Sequence, residues 1–322
     1  MFSDRGSPRA TRIAADASAR LLSDTERMGG GTATVDGQGV SDHASRAPGP
    51  ALSGLVDWYV GYRDAGVAPT THRGLPSPGL TVIFTLDDPL TIAQHPDPAQ
   101  PAGTFDTLIG GLHTRPALIT HQGSQSGIQL ALNPLGARAM LGLPAAELAG
   151  IDVHGHEVLG GFAGRVQEQL RAAETWDERF AIVDRALLSR LRAVGERAGV
   201  SAEVSFAWRR LLQSRGTVPV AELAAETGWS ERHLRSKFLI ETGLAPKAAA
   251  RVIRFDRARR TLQRRAVAGE PLGLAELAAS CGYFDQAHLD REFGLLAGCP
   301  PTTWVAAEFR NVQAASDVPL SA

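Results

Sequence analysis

Residues Ala221-Glu222-Leu223-Ala224-Ala225 return as Ala275-Glu276-Leu277-Ala278-Ala279, and each copy opens the same longer pattern. Gly228, Leu234, Phe238, Gly243 and Pro246 follow the first; Gly282, Leu289, Phe293, Gly298 and Pro301 follow the second. The offset is 54 residues through the glycine and 55 beyond it, so the second copy carries one added residue in its turn.

The physical chemistry of the first copy predicts a short helix over 220–227. Ala224 is small enough to let a second helix approach, and Gly228 supplies the left-handed backbone of a sharp turn. Ser230 caps a new helix beginning at Glu231. Leu234 and Phe238 lie four residues apart, so they share one face and point inward. That is helix-turn-helix geometry, in which the second helix enters a major groove. The outward face then carries Arg232 and Ser236, flanked by His233, Arg235 and Lys237. In the second copy Ala287 and Arg291 face out, flanked by His288 and Asp290, with Gln286 near the helix start. Arginine reads guanine bidentately or holds phosphate, Gln reads adenine and Ala touches a thymine methyl.

Between the copies, 246–262 reads as one long helix. Val252, Phe255, Ala258 and Leu262 form its narrow apolar seam, and Arg251, Arg254, Arg257, Arg259 and Arg260 stud the rest. A solvated charged face is the ordinary meaning of such a run. The scarcity of acids favours phosphate contact here, with Arg251, Arg254 and Arg257 the candidates.

Charge is unevenly spread along the 322 residues, whose formal net charge is −1. Residues 1–200 sum to −4 and residues 201–310 to +4, while 230–265 alone reaches +8 and 266–310 returns to −4. A concentrated positive segment in a near-neutral chain is an electrostatic footprint for a polyanion, foremost nucleic acid. Ala and Gly are abundant and only two lysines occur, as in proteins of GC-rich bacterial genomes. The split predicts that the first motif and the linking helix supply most of the affinity. The second motif then adds local specificity or contacts RNA polymerase.

Outside the repeat, 1–50 is rich in small and polar residues and is expected to be disordered. Residues 51–160 read as a compact, mostly antiparallel β unit. Thr81–Leu86 is β-branched, Ile128, Leu130 and Leu132 alternate, Pro/Gly turns intervene, and a short helix falls near 134–143. Residues 161–200 are a helical connector in which Phe180, Val183, Leu187, Leu191 and Val194 form a stripe. That stripe suits packing between domains, and a homodimer contact is its second use. Residues 201–310 hold the two motifs, and 311–322 read as a flexible tail. The fold class is α+β, with a β-rich N-terminal domain, a helical connector and an all-α C-terminal domain.

The order, spacing and added turn residue resemble the AraC/XylS family of bacterial transcription regulators. Gly282-Tyr283-Phe284-Asp285-Gln286-Ala287-His288-Leu289-Asp290-Arg291-Glu292-Phe293, with Gly298 and Pro301, is similar to the family's signature, and Gly243-Leu244-Ala245-Pro246 to its first-repeat counterpart. The resemblance covers 204–309. It implies two recognition helices in successive major-groove segments of double-stranded DNA, about one helical turn apart. Carried over by position, the base readers are Arg232, Arg235 and Ser236, then Gln286, His288 and Arg291. Ser236 departs from the pattern, where arginine is frequent, and Arg232 or Lys237 is placed to compensate. Residues 52–160 resemble the family's sensor domains, often cupin-like barrels that bind small-molecule effectors or dimerise. A methyl-accepting repair thiol is excluded there, because no cysteine precedes Cys281.

Other chemistry has weak support. His154-Gly155-His156-Glu157 is dense in metal-type ligands but lacks a second ligand group, so a polar loop is the expectation and no metal or other cofactor is implied. Neither a nucleophile elbow nor a phosphate loop occurs, so the chain is not expected to be an enzyme. The alternatives are an effector-free architectural DNA binder, or a regulator with an enzymatic N-terminal domain. Cys281 and Cys299 are too few for a disulfide framework. Residues 1–20 are interrupted by Asp4, Arg5, Arg9, Arg12 and Asp16, unlike a signal peptide, and a cytoplasmic protein is expected.

Overall fold

The computed structural model describes residues 32–36, 39–194 and 199–315, and side chains within 39–193 and 199–308. The first half is built from β1 (Thr32–Asp36), β2 (Gly39–Arg46), β3 (Val56–Ala65), β4 (Thr70–Gly74), β5 (Leu80–Thr85), β6 (Leu90–Gln94), β7 (Gly103–Phe105), β8 (Thr107–Gly110), β9 (Ala117–His121), β10 (Ser124–Leu132) and β11 (Asp152–His154). They form two antiparallel sheets, one ordered β1-β2-β3-β10-β5-β8-β11 and the other β4-β9-β6-β7. The two strands legible in sequence sit at the centre. Leu80, Val82, Ile83 and Phe84 of β5 are all buried, because that strand is covered on both faces. Ile128, Leu130 and Leu132 of β10 point into the larger core.

The expectation of disorder across 1–50 is corrected for residues 32–36 and 39–50. β2 pairs along β3 from Val40↔Ala65 to Arg46↔Tyr59. Its side chains are small or polar, so composition gave no hint. The backbone ladder and polar contacts hold it instead: Ser41 donates to Asp64, and Asp42 accepts from the Trp176 indole at 2.8 Å. Residues 1–31 and the end of the tail, 316–322, lie outside the described residues.

The short helix expected near 134–143 is a 3-10 turn, Pro134–Gly136, running into α1 (Ala137–Leu141). A further 3-10 turn, Ala145–Leu148, precedes β11. The connector comprises α2 (Gly155–Leu159), α3 (Gly161–Ala172) and α4 (Trp176–Val194). A capping box starts α4: Thr175 Oγ1 accepts from the Glu178 N–H, and Glu178 accepts from the N–H groups of Glu174 and Thr175. Its stripe packs onto the β domain. Phe180 and Val183 are buried, Leu187 and Leu191 lie against the same core, and Tyr59 donates to Asp184 at 2.9 Å. Those residues are therefore engaged within the chain. Gly61 of β3 exists for this contact, since a Cβ there would lie 2.3 Å from the Trp176 ring.

The remainder is helical: α5 (Ala202–Gln213), α6 (Val220–Thr227), α7 (Glu231–Thr242), α8 (Pro246–Val267), α9 (Leu274–Ser280), α10 (Gln286–Ala297) and α11 (Pro301–Ala315). Among the described residues no helix is long and apolar enough to cross a membrane. α8 is the hub. Beyond the seam expected from sequence, Ala249, Ala250, Ile253, Asp256 and Gln263 are also buried. A helix buried over so wide an arc has little of its circumference left for solvent. Phe255 meets Phe293 edge-on at 5.0 Å and Phe293 meets Trp304 at a tilt at 5.6 Å, linking α8, α10 and α11.

Candidate nucleic-acid interface

Both motifs fold as their local chemistry dictates. α6 ends at Gly228 with φ +71°, and the Ser230 hydroxyl accepts from the His233 N–H at 3.2 Å, starting α7. In the second copy Gly282 takes φ +77°, and the Asp285 carboxylate accepts from the His288 N–H at 2.7 Å, starting α10. Aligning the two caps identifies the added residue as Phe284. It stands between Tyr283 and the cap and is 93% exposed. A large apolar side chain held out at the tip of a motif is the feature that pattern matching missed. The offset change was its only signal.

Leu234, Phe238, Leu289 and Phe293 are fully buried, which fixes the rotation of α7 and α10. Ser230, Arg232, His233, Arg235, Ser236 and Lys237 are exposed on the first motif, and Gln286, Ala287 and Arg291 on the second. Two histidines turn back towards their own helix starts. The His233 ring meets the edge of Trp229 at 4.7 Å, and His288 Nδ1 accepts from the Phe284 N–H at 3.3 Å while packing on Tyr283. Asp290 is half-buried.

The arginines of α8 are committed inside the molecule to a degree the sequence did not suggest. Arg251 Nε donates to Glu292 at 2.7 Å, tying α8 to α10. Arg254 donates to the Gly216 carbonyl at 2.6 Å and covers the Tyr283 ring. Arg259 and Arg260 both donate to the buried Asp256, and Arg265 meets Glu276 and the Leu272 carbonyl. Arg257 is half-buried. Phosphate contact by Arg251 or Arg254 would require leaving partners that hold the two motifs together. We therefore expect Arg251→Ala to lower stability by about 1–3 kcal/mol, as loss of a partly buried charged hydrogen bond does, with little change in duplex affinity per folded molecule. Urea titration beside duplex titration checks this, and a selective loss of affinity would reverse the assignment.

The β domain contacts the first motif and the helix that follows the second. Arg138 of α1 donates to Glu241 in the last turn of α7 through Nε at 2.8 Å and through its terminal nitrogen at 3.0 Å. Arg73 of β4 meets Glu308 of α11 at 3.3 Å. Asp57 of β3 faces Arg260 of α8, yet burial outweighs that cation and pushes its carboxyl up to about 6. His72 of β4 is driven the other way by burial, and to a lesser degree by His121, down to about 4.

These two groups oppose each other in pH. A depressed histidine loses stability on acidification between 6.5 and about 4, because the unfolded chain takes the proton first. A raised aspartate gains stability on acidification between about 6 and 3.8, because the folded chain takes it first. Each shift is worth at most about 3 kcal/mol. Asp57→Asn should therefore lose more stability than wild type between pH 6.5 and 4, and His72→Gln less. Urea midpoints across that window report both, and parallel curves would refute the pairing.

The His154 ring lies tilted against His156 at 5.2 Å and against Phe105 at 4.6 Å. Among the described residues no group of three His, Cys, Asp or Glu side chains could hold a metal ion. Burial pushes the thiols of Cys281 and Cys299 up, away from reactive thiolate.

Comparison with known proteins agrees with the division into two halves. Residues 206–307 match a family described as a helix-turn-helix domain, and residues 44–154 match a domain of unknown function, DUF6597. No curated protein matches the chain. Solved structures similar to it include ToxT from Vibrio cholerae O395, at 11% identity over 77% of this chain and 96% of that one, with a TM-score of 0.45. Wild-type ToxT from Vibrio cholerae strain SCE256, bound to an unsaturated fatty acid, aligns at 9% identity over 74% and 94%, with a TM-score of 0.44. The AraC-like transcriptional activator CuxR aligns at 14% identity over 72% and 89%, with a TM-score of 0.27.

Proposed function

We propose, from the premise that residues 206–307 form an AraC-type helix-turn-helix domain, that this transcription regulator lays α7 and α10 into successive major-groove segments on one face of double-stranded DNA. One observation carries the reading. Two capped helices bury Leu234 and Phe238, or Leu289 and Phe293, and turn arginine-bearing faces to solvent. Arg232, Arg235, Ser236 and Lys237 then read or anchor the first half-site, and Gln286, Ala287 and Arg291 the second. Phe284, poised before α10, adds an apolar contact of the kind that meets a thymine methyl or a sugar.

The β domain gives this DNA-binding unit a sensor. It contacts the end of α7 through Arg138 and α11 through Arg73, so a ligand favouring one arrangement of the halves would shift the population competent for DNA. Selection of binding sites from random duplexes tests the DNA reading directly. An enriched bipartite motif, with its two parts about one helical turn apart, is expected. Affinity should fall steeply with salt. A selection that enriches no sequence would instead favour an architectural binder.

A further inference from the structure

A cavity of about 460 Å³ lies within the β domain and is closed on one side by the DNA-binding domain. Both sheets line it, and so do Arg259, Arg260, Gln263 and Arg264 of α8 with Trp304 and Glu308 of α11. Strand geometry orders its contents. Trp58, Val60, Tyr62 and Asp64 alternate along β3 and all face the cavity, and Gln129 and Gln125 of β10 pair opposite Val60 and Asp64. At a rise of ~3.3 Å per residue, Trp58 and Asp64 stand about 20 Å apart.

The two ends differ in chemistry. Arg259, Arg260 and Arg264 of α8 line the cavity, and Arg260 is close enough to act on the carboxyl of Asp57, the neighbour of Trp58 in β3, which puts the α8 arginines at that end. Four arginines, Arg73, Arg259, Arg260 and Arg264, stand there against Asp57, Asp256 and Glu308, and Arg264 donates to the neutral Thr261 hydroxyl, so one cation is left over. Asp152, which also lines the cavity, is paired with buried His95 at 2.7 Å. The other end is acceptor-rich. Asp64 receives Ser41, Gln125 at 2.8 Å and His43 at 3.5 Å. Burial works to raise its carboxyl, but those donors prevail and hold it near 2. His72 lies on the same side of the cavity, neutral above about pH 4. Between the ends the wall is mostly apolar, with Ile83, Leu90, Ile92, Leu108 and Ile119, and Gln129 is a polar group within it.

We propose that this cavity binds an elongated amphipathic carboxylate that carries a second polar group, an ammonium or hydroxyl, at its far end. The carboxylate lies against the α8 arginines, the apolar spacer against the sheet interiors, and the far group donates to Asp64. This names the ligand class for the sensor reading above and rests on it. A plain hydrocarbon tail reaching Asp64 would strip water from an ionised carboxylate and return nothing, which is costly. A donor at that point replaces the lost water with a charge-assisted hydrogen bond. Because the arginine end belongs to α8, occupancy ties the β domain to the helix that carries both motifs. Ligand and DNA affinities are then linked, each changing the other by the same factor.

The test uses the full chain with 12-aminododecanoate, dodecanoate and dodecylamine, below micelle-forming concentrations, read by melting temperature and by calorimetric titration. The amino acid should bind at least tenfold more tightly than dodecanoate, and dodecylamine least. Asp64→Asn should abolish that tenfold preference while leaving dodecanoate's affinity near its wild-type value. Arg264→Ala should weaken both carboxylates. Equal or tighter binding of dodecanoate, an unchanged ratio in Asp64→Asn, or no melting shift with any probe would each overturn the assignment. The wild-type ratio needs no variant, so a poorly folded Asp64→Asn protein leaves a decisive measurement. Duplex binding by the ligand-free chain is measured alongside. Its loss would sink the regulator reading separately, whatever the probes do.

Discussion

Alanine at Arg232 is expected to weaken duplex binding by about tenfold to a hundredfold, or about 1–3 kcal/mol, and alanine at Arg291 by distinctly less. The order follows from where the positive charge can reach. Residues 230–265 carry a net +8, but Arg251, Arg254, Arg259, Arg260 and Arg265 are occupied within the fold. Outward charge near the first groove is thus concentrated in Arg232, Arg235, Lys237 and Lys247, all exposed. Few side chains then share the electrostatic work, and removing one is felt strongly. Around α10 the balance reverses. Residues 266–310 sum to −4, and Arg291 sits between Asp290 and Glu292. Titration against one selected duplex at fixed salt gives the ranking. Repetition across salt separates the roles: loss of a phosphate contact lowers the slope by about one counterion, whereas loss of a base contact relaxes preference at one position. A larger loss from Arg291→Ala would mean that the second motif anchors the complex.

The two motifs were legible because short-range chemistry fixes them. Gly228 and Gly282 adopt the left-handed turn expected of them, Ser230 caps its helix, and the four-residue spacing of Leu234 and Phe238 alone set the inward face. The division into a β-rich half and an all-helical half was legible for the same reason, since strand alternation and helical periodicity are both local. The role of α8 was not. A run of arginines looks like a solvated or phosphate-binding face until its partners are known, and Glu292 lies 41 residues from Arg251. β2 escaped notice because its ladder to β3 needs no bulky side chain. The cavity escaped for a deeper reason. Its walls run from His43 to Glu308, so no window of sequence contains together the strands and the α8 arginines that enclose it.

Gly111→Ala should destabilise the chain by more than about 3 kcal/mol, beyond ordinary overpacking, although one methyl group is all it adds. A Cβ at that position would lie 1.6 Å from the Leu148 carbonyl oxygen and 2.3 Å from its carbon. The obstruction is backbone, so no rotamer change can relieve it, and the 3-10 turn Ala145–Leu148 must move. That turn is pinned from several sides. The Gly111 N–H donates to the Ile151 carbonyl at 3.0 Å, the Gly150 N–H to Leu112 at 2.9 Å, and Leu148 is buried in the core. It also abuts the first motif: a Cβ on Gly243, the residue closing α7, would stand 2.5 Å from the Ala149 methyl. Displacing the turn therefore strains the sheet on one side and loosens the seat of α7 on the other. Gly164→Ala in α3 is the matched control. Nothing lies within 4 Å of its Cβ, and a helical Gly→Ala change should stabilise by roughly 0.5–1 kcal/mol. Urea unfolding of the two variants should diverge in sign. A Gly111→Ala protein as stable as wild type would mean that the turn is not held against β8. The β domain would then grip the first motif through Arg138 and Glu241 and through the Pro134–Gly136 turn.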